Sequence, residues 1–231
     1  MLGIIVQLAI SWLLVWLVEK KDLRVLGFMP TAQRLIDFLL FLLVTAACCA
    51  SGFLLRMYFG NEKWALNPVL NTKLVVDGLW WNIKSVLFEE LIFRGVIFYI
   101  LIKKLGLVKA LFISAAAFGI YHWFSFGIIG NVQQMILTFF ITGIMGLVYA
   151  YGYAKTFSLY IPCAIHLGWN FTQGFIFSSG PIGIGVLIQV NSQNPVTVSY
   201  FIFFCIMLLP MLAAWLVNYF LLHRHRQATM P

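Results

Sequence analysis

The sequence predicts an all-α protein, a polytopic bundle of about seven transmembrane helices, and three observations predict it. Of its 231 residues, 62% are hydrophobic and only 10% charged, with a mean hydropathy of +0.96. That leaves too little polar surface to coat a water-soluble globule of this length. The apolar residues fall in runs of roughly twenty, long enough to cross a ~30 Å hydrocarbon core. The runs are continuous rather than alternating, so they read as helices and not as strands of a closed barrel, the other fold that satisfies its backbone groups in lipid.

The runs extend approximately from Leu2 to Val18, Leu35 to Tyr58, Leu79 to Ile102, Leu107 to Phe126, Met135 to Tyr153, Leu159 to Phe177 and Tyr200 to Leu222. The first has no basic residue before it and no small-x-small cleavage site after it, so it is expected to be a retained span and not a removable signal peptide. Short polar connections join the runs, and no repeat, linker or low-complexity tract divides them. One membrane domain over residues 1–231 is therefore expected. The Gly/Pro-rich stretch from Ser179 to Asn194 fits either a loop or a partly buried re-entrant piece.

Lys and Arg set the expected orientation. With the N-terminus outside and the C-terminus cytoplasmic, the inner connections carry Lys20, Lys21, Arg24, Arg34, Lys103, Lys104, Lys109, Lys155, Arg224 and Arg226, and the outer ones only Arg56, Lys63 and Lys73. Trp64, Trp80 and Trp81 then suit an outer aromatic belt. The formal charge of +8 does not point to nucleic acid, because the cations flank apolar runs instead of clustering on a soluble face. Cys48, Cys49, Cys163 and Cys205 lie inside apolar runs without metal-knuckle spacing and read as packing residues.

Against this background the intramembrane ionisable residues stand out. A charge near the bilayer centre costs about 2.5–3.5 kcal/mol on insertion scales, so such a residue points to function. The third run holds Glu89, Glu90 and Arg94, the fourth His122, and the sixth His166 and Asn170. Glu90 and Arg94 are one helical turn apart and can neutralise each other. Glu89 lies about 100° around the helix from Glu90 and ~13 Å along the axis from Trp80, so it points elsewhere. A carboxylate in that setting is a candidate general base. His166 and Asn170, four apart, share a helix face and can converge on one ligand. Other polar groups have plainer readings. Asp37 is expected to cap its helix or pair with Arg34, Gly143 and Gly146 to allow close helix packing, and His223 and His225 to lie solvated or among headgroups.

The ordered set E-E-x-x-x-R, F-x-x-x-H and H-x-x-x-N, each on its own run, resembles the three signature motifs of the CAAX-protease and bacteriocin-processing (CPBP) family of intramembrane endopeptidases. The resemblance covers a core of about residues 79–174, and the remaining spans match only in being hydrophobic. It implies that Glu89 activates the attacking water and that His122 helps to hold it. It implies that His166 and Asn170 stabilise the oxyanion, or join in binding a divalent ion, and that Glu90 and Arg94 form the supporting pair. The expected partners are the lipid bilayer and a membrane-associated or lipidated peptide or protein substrate.

Two readings of the chemistry stay open. A zinc peptidase commonly has three protein ligands and an open position, a count that Glu89, His122 and His166 could meet. However, H-E-x-x-H is absent, and neither histidine has an acidic neighbour in sequence to orient it. A metal-independent glutamate mechanism without cofactor is therefore favoured. The rival functions are a non-catalytic membrane scaffold or bacteriocin self-immunity protein of the same fold, and a proton-coupled transporter. The last is disfavoured because the halves show no repeat. The expected topology is checked by labelling single cysteines in a variant lacking the four native ones: Lys63→Cys reacts with an impermeant maleimide from outside, and Gln227→Cys only after the membrane is opened.

Overall fold

A computed structural model of the chain describes residues 2–178, 185–190 and 196–231. Among these residues the elements are α1 (Leu2–Glu19), α2 (Ala32–Gly60), β1 (Lys63–Leu66), α3 (Thr72–Phe93), α4 (Val96–Leu105), α5 (Leu107–Ser125), α6 (Val132–Thr156), α7 (Tyr160–Phe171), β2 (Leu187–Val190) and α8 (Tyr200–Arg224). A short 3₁₀ turn covers Leu23–Leu26, and a π-helical turn follows α7 over Thr172–Ile176. The protein is all-α apart from the small β1–β2 pair. Five helices, α1, α2, α5, α6 and α8, are long and apolar enough to cross a membrane.

Two of the expected seven spans are not single straight helices, and they are two of the three that carry the buried polar residues. The run Leu79–Ile102 is divided between α3 and α4 at Arg94–Gly95. Gly95 has φ −77° and ψ −149°, and a β-carbon there would collide with the Leu91 carbonyl oxygen. Only glycine allows the chain to leave the helix at this point. The carbonyl of Phe93 at the break is not wasted, because the buried Ser114 hydroxyl on α5 donates to it at 2.8 Å. The run Leu159–Phe177 likewise shortens to α7 plus the π-helical turn, with Phe177 N–H closing on the Thr172 carbonyl at 2.9 Å.

The contacts of the chain resolve into two compact units interleaved in sequence, and the boundaries fall inside α2, α3, α7 and α8. The first comprises residues 1–38, 86–163 and 219–231. Its apolar core gathers Val15, Leu26, Leu91, Val96, Phe98, Tyr99, Ala150 and Tyr153. The 3₁₀ turn is tied in by main-chain carbonyls: Tyr153 Oη donates to Val25 at 2.8 Å and Leu159 N–H to Leu26 at 3.0 Å. At its start, Arg24 hydrogen-bonds Asp22 from both side chain and main chain, which holds the Asp22 carboxyl below the ordinary carboxylate range. Asp37 does not pair with Arg34. The Arg34 guanidinium goes to the Met29 carbonyl, and buried Asp37 instead accepts from Gln33 at 2.8 Å and meets His225 Nε2 at 3.0 Å. His225 is thus a partner of α2 and not a solvated tail residue, a pairing across 188 positions that local sequence could not disclose.

The second unit comprises residues 39–85 and 164–218. Its α2 and α8 segments are clasped by Asn218, whose amide donates to Thr45 Oγ1 at 3.0 Å and to the Ala214 carbonyl at 2.7 Å, with Thr45 and Asn218 both fully buried. In lipid such hydrogen bonds replace the hydrophobic drive that packs water-soluble helices. The Ser179–Asn194 stretch is described only over residues 185–190, and 179–184 and 191–194 lie outside the described residues. There, β2 pairs antiparallel with β1 in the register Lys63↔Val190 to Leu66↔Leu187. Phe177 stacks on Phe53 at 4.2 Å, and Trp64 of β1 packs edge-on against both rings. Helix α7 seats on α2 at Gly168, where a β-carbon would lie 2.5 Å from the Leu42 carbonyl oxygen. A methyl group there must push backbone away from backbone. Gly168→Ala is therefore expected to cost about 1–3 kcal/mol, read as a lowered midpoint of unfolding in detergent.

Candidate active site

The buried charges of α3 are arranged around Arg94. Arg94 and Glu90 are both fully buried, and the Arg94 Nη1 donates to Glu90 Oε1 at 3.0 Å. The other terminal nitrogen, Nη2, donates to the Gly146 carbonyl on α6 at 3.0 Å. Rings close over the guanidinium: its centre lies 4.3 Å from the centroid of Phe118 and 5.1 Å from that of Tyr149. A charge-assisted hydrogen bond, a carbonyl and two ring faces together replace hydration. Gly146, expected to serve close helix packing, does more. It supplies the accepting carbonyl, and any β-carbon would press on both Arg94 Nη2 at 3.0 Å and Phe118 at 3.1 Å.

Glu89 is placed differently from its neighbour. Glu90 is sealed off, whereas Glu89 is only partly buried. Its charge is felt by Arg94 and by Tyr121, the residue before His122. Both terminal nitrogens of Arg94 are committed to Glu90 and Gly146. This separates the two adjacent carboxylates into a fully buried one held against Arg94 and a partly buried one.

His122 sits near the end of α5, 8% exposed, with the rings of Phe118 and Phe126 at 4.5 and 5.1 Å. Its Nδ1 lies 2.8 Å from the Phe118 carbonyl oxygen. A carbonyl can only accept, so Nδ1 carries the hydrogen, and whenever the ring is neutral it is Nε2 that accepts. The orienting partner absent from the flanking sequence is this main-chain oxygen one turn back. Phe118 therefore serves two motifs at once: its ring covers Arg94 and its carbonyl fixes the tautomer of His122. Phe93, next to Arg94, completes the contact by packing at 5.1 Å on Phe118 and 5.3 Å on Tyr121.

His166 and Asn170 belong to the second unit, on α7. His166 is buried and Asn170 partly so. Gly168 lies between them, about 200° around the helix from each at 3.6 residues per turn. The face that seats on α2 is therefore the opposite one, which leaves imidazole and carboxamide side by side on the other. Trp169 anchors the same turn: its carbonyl accepts from the Cys49 thiol at 3.7 Å, and its indole joins the cluster of Phe53, Trp64 and Phe177. The structure thus assembles Glu89, Glu90, Arg94 and His122 within the first unit and His166 with Asn170 within the second. Ser114, Gly146 and Tyr149, which complete the surroundings of Arg94, carry no motif signal. Among the described residues no three His, Cys, Asp or Glu side chains group so as to hold a metal ion.

These features define an integral, multi-pass, all-α membrane protein with an ordered set of ionisable residues inside its helices. Residues 71–172 match the family model described as type II CAAX prenyl endopeptidase, Rce1-like. The matched segment contains Glu89, Glu90, Arg94, His122, His166 and Asn170 and agrees with the resemblance drawn from the three motifs. No curated protein and no solved structure matches the chain.

The Glu90–Arg94 pair gives a stability test. Removing one partner of a buried pair leaves an uncompensated charge and costs about 3–5 kcal/mol. Arg94→Met is expected to lose that much in a denaturation series, and the double variant Glu90→Gln, Arg94→Met to recover most of it. Equal losses in both would show that the ring contacts, and not the charge pair, dominate.

Proposed function

We propose that this protein is a glutamate-dependent intramembrane endopeptidase that hydrolyses a peptide bond in a lipidated or membrane-associated peptide or protein. What supports the reading is one coincidence: the segment matching the Rce1-like prenyl endopeptidases contains two adjacent carboxylates, of which Glu90 is fully buried against Arg94 and Glu89 is only partly buried. In this reading Glu89 takes a proton from water and the resulting hydroxide attacks the scissile carbonyl. His122, as the tautomer that accepts at Nε2, holds the water for that transfer. His166 and Asn170 donate hydrogen bonds to the oxyanion as it develops. Glu89 returns the proton to the leaving amine, which balances the cycle and leaves the enzyme unchanged. The Glu90–Arg94 pair holds α3 in place and takes no proton. The distribution of Lys and Arg supports an orientation with the N-terminus outside and the C-terminus in the cytoplasm.

The test is cleavage of lipidated peptides by the protein in nanodiscs. Glu89→Gln is expected to lose about 100- to 10,000-fold in turnover, the range of a general base, and His166→Ala a comparable amount with little change in KM. A chelator is expected to leave the wild-type rate unchanged. Turnover at the wild-type level in Glu89→Gln removes the general-base role. Loss of activity on chelation, restored by zinc, replaces the glutamate mechanism with a metal-dependent one.

A further inference from the structure

The β1–β2 pair sits beside α7 in the second unit and has one edge already used. Asn67 N–H donates to the Val186 carbonyl at 2.9 Å, continuing the register of Lys63↔Val190 and Ala65↔Ile188. In an antiparallel ladder, residues that exchange hydrogen bonds alternate with residues whose main-chain groups point the other way. Lys63 and Ala65 therefore face β2, and the N–H and C=O of Trp64 and Leu66 face outward. The far edge of β2 obeys the same alternation: Leu187, opposite Leu66, turns its carbonyl to Ser178 N–H at 3.0 Å, and Phe177 bridges to Leu187. The extended segments thus run in the order 177–178, β2, β1. Among the described residues, no main-chain group is hydrogen-bonded to the outward groups of Trp64 or Leu66.

A sheet edge of this kind is a template for another extended chain. Natural edges are blunted by shortness, charge or proline; β1 is short and begins with Lys63, but the two residues whose main-chain groups turn outward, Trp64 and Leu66, are neither charged nor proline. Leu66 is 64% exposed. The same strand is joined to α7 through one aromatic cluster, because Trp64 and Trp169, the residue between Gly168 and Asn170, both pack against the buried core of Cys49, Phe53 and Phe177. A protease must hold its substrate extended, since a helical peptide has its carbonyls turned into the helix and closed to attack.

We propose that β1 is the substrate-docking edge: an extended segment of the peptide substrate adds to the sheet beside Trp64 and Leu66 through main-chain hydrogen bonds, next to the turn of α7 that carries His166 and Asn170. The proposal deepens the endopeptidase reading and rests on it. Main-chain pairing gives affinity without demanding one side-chain sequence, and it contacts alternate residues of the peptide only.

The probe is a dansylated peptide ending in a farnesylated cysteine and an aliphatic tail, with binding measured by fluorescence in nanodiscs holding the Glu89→Gln variant. A series of such peptides carries a single N-methyl amide at successive positions. Binding is expected to weaken about tenfold, one hydrogen bond's worth, at alternate positions near the scissile bond and to be unchanged between them. Leu66→Pro deletes an outward N–H while sparing the pairing with β2, and it is expected to weaken the unmodified peptide by a similar factor and to abolish the sensitivity at one N-methyl position. A flat N-methyl series overturns the proposal, and because that series uses a protein unaltered at the strand, it decides the matter even where Leu66→Pro melts early. Alternating sensitivity with no cleavage by wild type would leave the docking edge standing and remove the proteolytic reading. Cleavage with a flat series does the reverse, and a peptide that fails to bind overturns the docking edge.

Discussion

An arginine without water is the constraint around which the first unit is organised. Arg94 is fully buried in a protein whose surroundings are lipid, so every interaction that water would have given it must come from the chain. Glu90 supplies the opposite charge from one turn back, Gly146 a carbonyl from α6, and Phe118 and Tyr149 the ring faces. Meeting that demand fixes much else. It brings α6 against α3, leaves little room for a side chain at position 146, and sets Phe118 where its own carbonyl holds the tautomer of His122. The supporting pair of the first motif and the histidine of the second are therefore linked by one aromatic residue.

The local interactions were legible in the sequence, and the non-local ones were not. Spacing of four announced the Glu90–Arg94 pair and the shared face of His166 and Asn170, because helix geometry alone decides both. Hydropathy located α1, α2, α5, α6 and α8 to within a few residues, but it placed the run Leu79–Ile102 across the α3–α4 break, because a sum over twenty residues cannot register where a helix breaks. The α3–α4 break depends on one collision that only glycine avoids and on one hydroxyl, from Ser114, that caps the freed carbonyl. Nothing near Gly95 in the sequence predicts Ser114. The same holds for Asp37 and His225, whose partnership spans most of the chain and took the place of the nearer Arg34. Thr45 and Asn218 carry no charge and so raise no alarm in an apolar run, although they clasp two helices.

The two adjacent glutamates illustrate how neighbouring residues of one type acquire different work. On a helix, consecutive side chains diverge by about 100°, so a partner able to reach one cannot equally serve the other. Arg94 is four residues from Glu90 and five from Glu89, and the guanidinium goes to the nearer register. One carboxylate becomes part of the scaffold and the other, on a different face, is only partly buried. In the second unit the division falls between faces of α7: the face at Gly168 is given to packing and the opposite one keeps its polar pair.

The position of Gly146 has a consequence for biogenesis. It lies 52 residues after Arg94, so the ribosome completes α3 well before the carbonyl that α3 needs exists. Until α6 emerges, the guanidinium lacks both the Gly146 carbonyl and the Tyr149 ring, and the interrupted α3–α4 stretch has neither the continuity nor the apolarity of a self-sufficient span. Final settlement of α3 in the membrane must therefore wait for the α5–α6 hairpin, which makes this part of the assembly a late, cooperative event and not the insertion of one helix at a time.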